Sequence, residues 1–230
     1  ANTKKNLANA RELFDSYLNG IFTRNKDKWT QKTLGEVCII NPPKSEARKF
    51  FLEEDYVSFL PMNNLGVKSR EVIPLEKRRF GDVVKGYTYF AENDVLLAKI
   101  TPCFENGKLG IVRNLVNKVG FGSSEYIVFR SKKYIEPDYI FYFLSQNNFR
   151  KNGARFMRGT AGQKRVSKDF IKSSAIPIPD LSEQREIVQR LEQLSIETQR
   201  LEAIYQRKLE ALQELKQSLL HKAFTGELTN

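Results

Sequence analysis

Ile178-Pro-Asp-Leu-Ser-Glu-Gln-Arg185 decides how this chain is read. Pro179 cannot continue a helix and Ser182 can cap a new one, so one element closes here and a helix is expected to start near Leu181. From Ile187 onward apolar residues recur at spacings of four and three: Ile187, Leu191, Leu194, Leu201, Tyr205, Leu212, Leu215 and Leu219. Of the eleven seam positions through Lys222, only Thr198, Lys208 and Lys222 are not apolar, and the flanks carry Glu192, Gln193, Glu202 and Glu210. That is a coiled-coil heptad pattern. No glycine or proline interrupts residues 181–222, and at ~1.5 Å per residue the rod is roughly 60 Å long. A compact domain cannot cover such a seam, so a second long helix is expected against it, from another chain or from a segment outside this one. The alternative is a helix lying along its own domain. Val188, Ile204, Leu209 and Leu220 widen the apolar stripe into a further docking surface.

Working back from this helix, Leu13-Phe-Asp-Ser-Tyr-Leu-Asn-Gly-Ile-Phe-Thr23 aligns without gaps on Leu215-Lys-Gln-Ser-Leu-Leu-His-Lys-Ala-Phe-Thr225, with five identities in eleven positions. Amphipathic helices share composition, so a short match of this kind also arises by chance. The first copy nevertheless sits in its own apolar pattern, at Leu7, Phe14, Leu18 and Ile21. The chain therefore reads as a helix stub over residues 1–24, a globular domain over 25–180, a long helix over 181–222 and a tail over 223–230. It looks like one period of a longer repeat.

The middle domain is expected to be α+β, mixed and strand-rich. Glu36–Ile40, Tyr56–Leu60, Asp94–Ile100, Lys108–Arg113 and Tyr126–Phe129 are apolar runs bounded by turn residues and read as strands. Asp138–Gln146, opened by Pro137, has helical spacing. This domain also carries the charge. The whole chain has 38 basic against 27 acidic residues, a net of +11. Between Trp29 and Asp180 the count is 25 against 16, or +9, while Leu181–Lys222 balances at 7 against 7. A solvated lysine-rich face would account for charge alone, but a basic domain joined to a neutral helix fits a polyanion-binding module with a partner-binding arm.

Two glycine-containing segments concentrate cations and amides. Lys99-Ile-Thr-Pro-Cys-Phe-Glu-Asn-Gly-Lys108 offers Lys99, Thr101, Asn106 and Lys108. Arg155 to Arg165 offers Arg155, Arg158, Thr160, Gln163, Lys164 and Arg165 around Gly159 and Gly162. Arg and Lys neutralise phosphates, Arg reads guanine, Asn or Gln reads adenine, and glycine permits close backbone approach, so these residues are the candidate DNA contacts.

Catalytic signatures fail. There is no G-x-G-x-x-G or G-x-x-x-x-G-K loop. Asn41-Pro-Pro-Lys44 approaches the amino-methyltransferase motif, but lysine replaces the aromatic that would stack on a flipped base, so a strand-terminating turn is expected there. Cys38, Cys103 and the single His221 supply neither a four-ligand zinc site nor a disulfide framework. Cys103 is expected to be a buried small hydrophobe and His221 a surface or interface residue. Neither a leader peptide nor a membrane span is legible, which fits a cytoplasmic protein.

Five stretches resemble the specificity subunits of type I restriction-modification systems: Trp29 with Leu34-Gly-Glu36; Ile100-Thr-Pro-Cys-Phe-Glu-Asn-Gly-Lys108; Gly122-Ser-Ser-Glu125; Ile176-Pro-Ile-Pro-Asp-Leu-Ser-Glu-Gln-Arg-Glu-Ile187; and Lys222-Ala-Phe-Thr-Gly-Glu-Leu228. The resemblance implies a target recognition domain that reads one half of a bipartite sequence in double-stranded DNA, followed by a spacer helix that docks other subunits. It implies no catalysis and no cofactor on this chain. S-adenosylmethionine would serve the DNA methyltransferase (modification) subunit and ATP the restriction subunit. Typical members hold two recognition domains and two antiparallel helices, so the resemblance leaves two readings of a single domain: a natural half-subunit, joined through the helix to a second copy or a sister half-subunit, or the C-terminal half of a longer subunit. A coiled-coil nucleic-acid-binding adaptor and a stand-alone DNA methyltransferase are the competing readings.

Overall fold

A computed structural model describes residues 2–24, 28–160 and 162–225, with only the backbone of Arg11. Gly226-Glu227-Leu228 of the last quoted motif, and most of the expected tail, lie outside the described residues.

The first element, α1 (Asn2–Arg24), is followed by β1 (Thr30–Thr33), the helical turn α2 (Leu34–Val37) and β2 (Cys38–Ile40). A capping box fixes α2: Glu36 N donates to the Thr33 hydroxyl, and the Glu36 carboxylate accepts from Thr33 N at 2.7 Å. The expected strand Glu36–Ile40 is thereby split, because the cap holds Glu36 and Val37 in a helical turn despite the β preference of valine. Next come α3 (Ser45–Arg48), β3 (Tyr56–Leu60), β4 (Ser69–Val72), β5 (Glu76–Arg79), α4 (Phe80–Val83), β6 (Thr88–Ala91), β7 (Val95–Ala98) and β8 (Leu109–Val112). After β9 (Val119–Gly122) and β10 (Tyr126–Ser131) the chain turns helical in α5 (Pro137–Ser145) and α6 (Asn147–Arg155). It closes with α7 (Lys168–Ser173), β11 (Ala175–Ile178) and α8 (Leu181–Phe224). This is the expected α+β domain followed by a long helix; α6 is an addition that the sequence did not announce.

One sheet has the order β2-β10-β7-β8-β4, antiparallel except for the parallel β4–β8 pair. A second has the order β5-β3-β9-β6, with β3 and β9 parallel. β1 and β11 form a separate antiparallel ribbon. Leu60, Phe90, Leu96, Val112, Tyr126 and Val128 share one buried cluster, and Val57, Phe59, Phe80, Tyr89 and Phe121 another. Cys103 packs against the first cluster but is only half-buried, whereas Cys38 is buried. His221 is exposed, in keeping with its expected surface position.

The entry to α8 is held by side chains of the motif that announced it. Asp180 Oδ1, rather than Ser182, accepts the free amide of Glu183 at 2.8 Å. Glu183 takes the Trp29 indole N–H and the Lys28 ammonium, both at 3.0 Å. Gln184 is fully buried; its amide donates to Tyr134 O and Pro179 O and accepts from Glu136 N. Arg185 reaches the Glu136 carboxylate at 2.7 Å. Among the described residues no helix is long and apolar enough to cross a membrane.

The chain divides into two compact units. Ile21–Val188 form one. The other is built from α1 up to Gly20 and from α8 starting at Gln189. Within this second unit Leu18 and Leu191 are fully buried, and Ala10 and Thr198 nearly so. Part of the seam is therefore covered inside the chain, which corrects the expectation that all of it awaits an outside partner. Leu194 and Tyr205 are half-buried, and Leu201, Leu212, Leu215 and Leu219 are exposed. Ile187, in the first unit, is buried.

Candidate nucleic-acid interface

The two basic segments are far apart in sequence and adjacent in space. Lys99–Lys108 is the connection from β7 to β8, wound into a compact turn by Phe104 N to Ile100 O, Asn106 N to Pro102 O and Lys108 N to Cys103 O. Arg158 to Arg165 forms a small hairpin, with Arg158 and Arg165 exchanging both backbone hydrogen bonds at 3.0 and 2.9 Å. Gly159 and Gly162 take φ of +131° and +79° inside it, which is why side-chain-bearing residues are disfavoured there. Thr101 N donates to Lys164 O and Val166 N to Lys99 O, each at 2.9 Å, so the hairpin is stitched along the start of the β7–β8 turn.

A third segment joins them. Lys99 N donates to Glu125 O at 2.9 Å, prolonging the β7–β10 pairing into Gly122-Ser-Ser-Glu125. The Glu125 carboxylate accepts Arg165 Nε at 2.9 Å and Nη2 at 2.7 Å, and Lys99 Nζ lies 3.9 Å from it while donating to Ser124 O at 2.7 Å. The hydrogen bonds from Arg165 hold the Glu125 carboxyl below its usual range. Burial, and then the like charges of Arg165 and Lys168, hold the Lys99 ammonium below the usual lysine range, against the pull of Glu125.

The expected contact residues differ in availability. Asn106, Arg155, Arg158, Thr160, Gln163, Lys164 and Arg165 are exposed. Lys99 and Thr101 are half-buried, the Thr101 hydroxyl donating to Glu105 at 3.0 Å. Lys108 turns inward and donates to Met62 O at 2.9 Å, so its ammonium also braces the turn. Two features escaped the sequence reading. Phe156 is exposed beside the hairpin and stacks on Phe170, at 5.3 Å and 20°, which packs on Phe149 at 5.5 Å. Lys168 and Lys172 of α7, with Ile40, Asn41, Ile127 and Ile171, line a groove of about 190 Å³. Helical i, i+4 spacing puts those lysines on one face, but Ile40 and Ile127 reach the groove from the distant strands β2 and β10.

Asn41-Pro-Pro-Lys44 ends β2 as a turn. Asn41 has φ +54°, its amide oxygen accepts Val128 N at 3.0 Å and its own N–H donates to Val128 O. Its side chain thus completes the sheet edge.

Residues 26–211 match the family model described as the type I restriction modification DNA specificity domain. The chain is 38% identical over 195 residues to the specificity subunit of the type I restriction enzyme EcoAI from Escherichia coli, and 37% identical over 193 residues to that of EcoEI from the same organism. Each alignment covers 84% of this chain and 32% of the relative. At 19% identity its fold is similar to the HsdS subunit from Thermoanaerobacter tengcongensis, with a TM-score of 0.63 over 96% of this chain and 52% of that one. A chain from a study of assembly and conformational transition in the type I R-M system gives a TM-score of 0.69, over 96% and 53%. The chain thus spans about a third of those subunits and about half of those structures.

Proposed function

This chain belongs to the type I restriction-modification DNA specificity family, and on that premise we propose that its domain reads one half of a bipartite sequence in duplex DNA without catalysing a reaction itself. The observation that carries the reading is the stitching of two basic, glycine-containing segments into one surface through Thr101–Lys164 and Lys99–Val166. Such a surface offers Arg, Lys, Gln and Asn donors on a fixed backbone, the groups that contact phosphates and base edges. The exposed seam of α8 would meet a second copy or a sister half, setting the separation of two half-sites, and would dock the modification subunit and through it the restriction subunit. S-adenosylmethionine and ATP would act on those partners, in the cytoplasm.

Co-expression with the neighbouring modification subunit, followed by mapping of methylated adenines on plasmid DNA, tests the reading. A two-part symmetric motif is expected from a homodimer and an asymmetric one from a sister half; absence of any new methylation would overturn the assignment. Gln163→Ala with Lys164→Ala should weaken binding and alter the methylated sequence. Unchanged affinity and unchanged sequence would remove the hairpin from the interface.

A further inference from the structure

Glu125 is a half-buried acid in a surface whose exposed side chains are mostly cationic or amide, with Glu105 as an exposed acid bonded to Thr101. Glu125 is also the residue that joins all three segments of the surface. Its carboxylate grips the side-on edge of Arg165, Nε to Oε2 at 2.9 Å and Nη2 to Oε1 at 2.7 Å, while Arg165 Nη1 donates to Gln163 O at 3.1 Å. Its backbone carbonyl takes Lys99 N, and its carboxylate lies 3.9 Å from Lys99 Nζ. Mere cohesion does not require this arrangement, because backbone bonds already stitch the segments together. A carboxylate on a polyanion-binding face repels phosphate, so it lowers affinity for DNA of any sequence. What it supplies is orientation. A free arginine samples many rotamers and settles on the nearest phosphate, whereas one clamped bidentately presents its remaining N–H groups in a single direction.

We propose that Glu125 is a specificity-determining positioning residue, which aims Arg165 at base edges and withholds Arg165 and Lys99 from the phosphates. This rests on the DNA-reading function above. It predicts that removing the carboxylate makes the protein bind DNA more tightly and less selectively, the opposite of what loss of an ordinary contact does.

The test uses the chain assembled with its modification subunit, in parent form and with Glu125→Gln, Arg165→Gln and both changes together. For Glu125→Gln, methylation should spread to sites altered at one half-site position, with discrimination falling about ten-fold. The slope of log affinity against log salt should steepen by about one to two units as freed cations meet phosphates. The double variant should discriminate no worse than Arg165→Gln alone, because Glu125 acts through Arg165. An unchanged site spectrum and salt slope, or simply additive losses, would overturn the proposal. If Glu125→Gln fails to fold by circular dichroism, Glu125→Asp takes its place, since it keeps the charge and shortens the reach: relaxed discrimination supports the proposal and parent-like discrimination overturns it. A parent complex that neither binds nor methylates DNA would instead sink the functional reading, and this proposal with it.

Discussion

Arg130 lies along the carboxylate of Asp94, with Nε 2.9 Å from Oδ1 and Nη2 2.8 Å from Oδ2. Asp94 is fully buried and also accepts Ala91 N at 2.7 Å. Arg130 leaves β10 in the five-stranded sheet, bonds Glu46 in α3 and stands 5.4 Å from the ring of Tyr89 on β6 in the other sheet. One guanidinium thus fastens the two sheets. Arg130→Met would leave the Asp94 charge buried without its counter-ion, so it should cost about 3–5 kcal/mol in urea unfolding. A loss under about 1 kcal/mol would mean that water already reaches Asp94.

Gly122 lies opposite Leu60 where β9 and β3 run parallel. A Cβ there would sit 2.3 Å from Leu60 O and 2.8 Å from the Tyr126 ring, and backbone cannot swing aside. Gly122→Ala should therefore destabilise the domain by about 1–3 kcal/mol or more. Gly86, with nothing within 4 Å of its virtual Cβ, is the control; Gly86→Ala should shift the urea midpoint little or slightly upward. Equal losses at both sites would refute the packing account.

What the sequence disclosed follows from how local each signal is. The seam of α8 and the runs Tyr56–Leu60 and Asp94–Ile100 were legible because their patterns are complete within a few turns or one strand. Asn147–Arg155 was not: it contains glycine and three asparagines, and its helix leans on tertiary contacts, Phe149 on Phe143 at 5.6 Å and Arg150 on Ser145 O at 2.7 Å. The candidate interface shows the same division. Charge and glycine marked both basic segments, but their adjacency depends on a bond between Thr101 and Lys164 that no local pattern encodes. Gly122-Ser-Ser-Glu125 stood out as a motif, yet the role of its acid was hidden because its partner, Arg165, lies 40 residues downstream.

The two cysteines should respond differently to alkylation. Burial pushes the Cys38 thiol up to about 12, so at pH 8 it has almost no thiolate and no access to reagent. Cys103 is half-buried at the β7–β8 turn. Pulsed iodoacetamide labelling with mass spectrometry should modify Cys103 in the native protein and Cys38 only as urea unfolds it. Prompt native labelling of Cys38 would show that β2 opens locally.

Phe22 and Phe224 occupy the same place in the internal repeat and have opposite surroundings. Phe22 is 6% exposed and packs on Tyr139 at 5.2 Å and Phe143 at 5.5 Å; Phe224 is 87% exposed. Phe22→Ala should therefore cost about 3–5 kcal/mol, while Phe224→Ala leaves the unfolding midpoint of the isolated chain in place. The same contrast runs along the seam, where Leu191 is buried and Leu212, Leu215 and Leu219 are exposed. On the proposed pairing through this row of exposed leucines, the chain should elute as a dimer at tens of micromolar in light-scattering chromatography. Leu212→Asp with Leu219→Asp keeps the helix but charges the seam, and should give a monomer of unchanged domain stability. A dimer that survives both charges would place self-association on another surface and leave the seam for a different subunit.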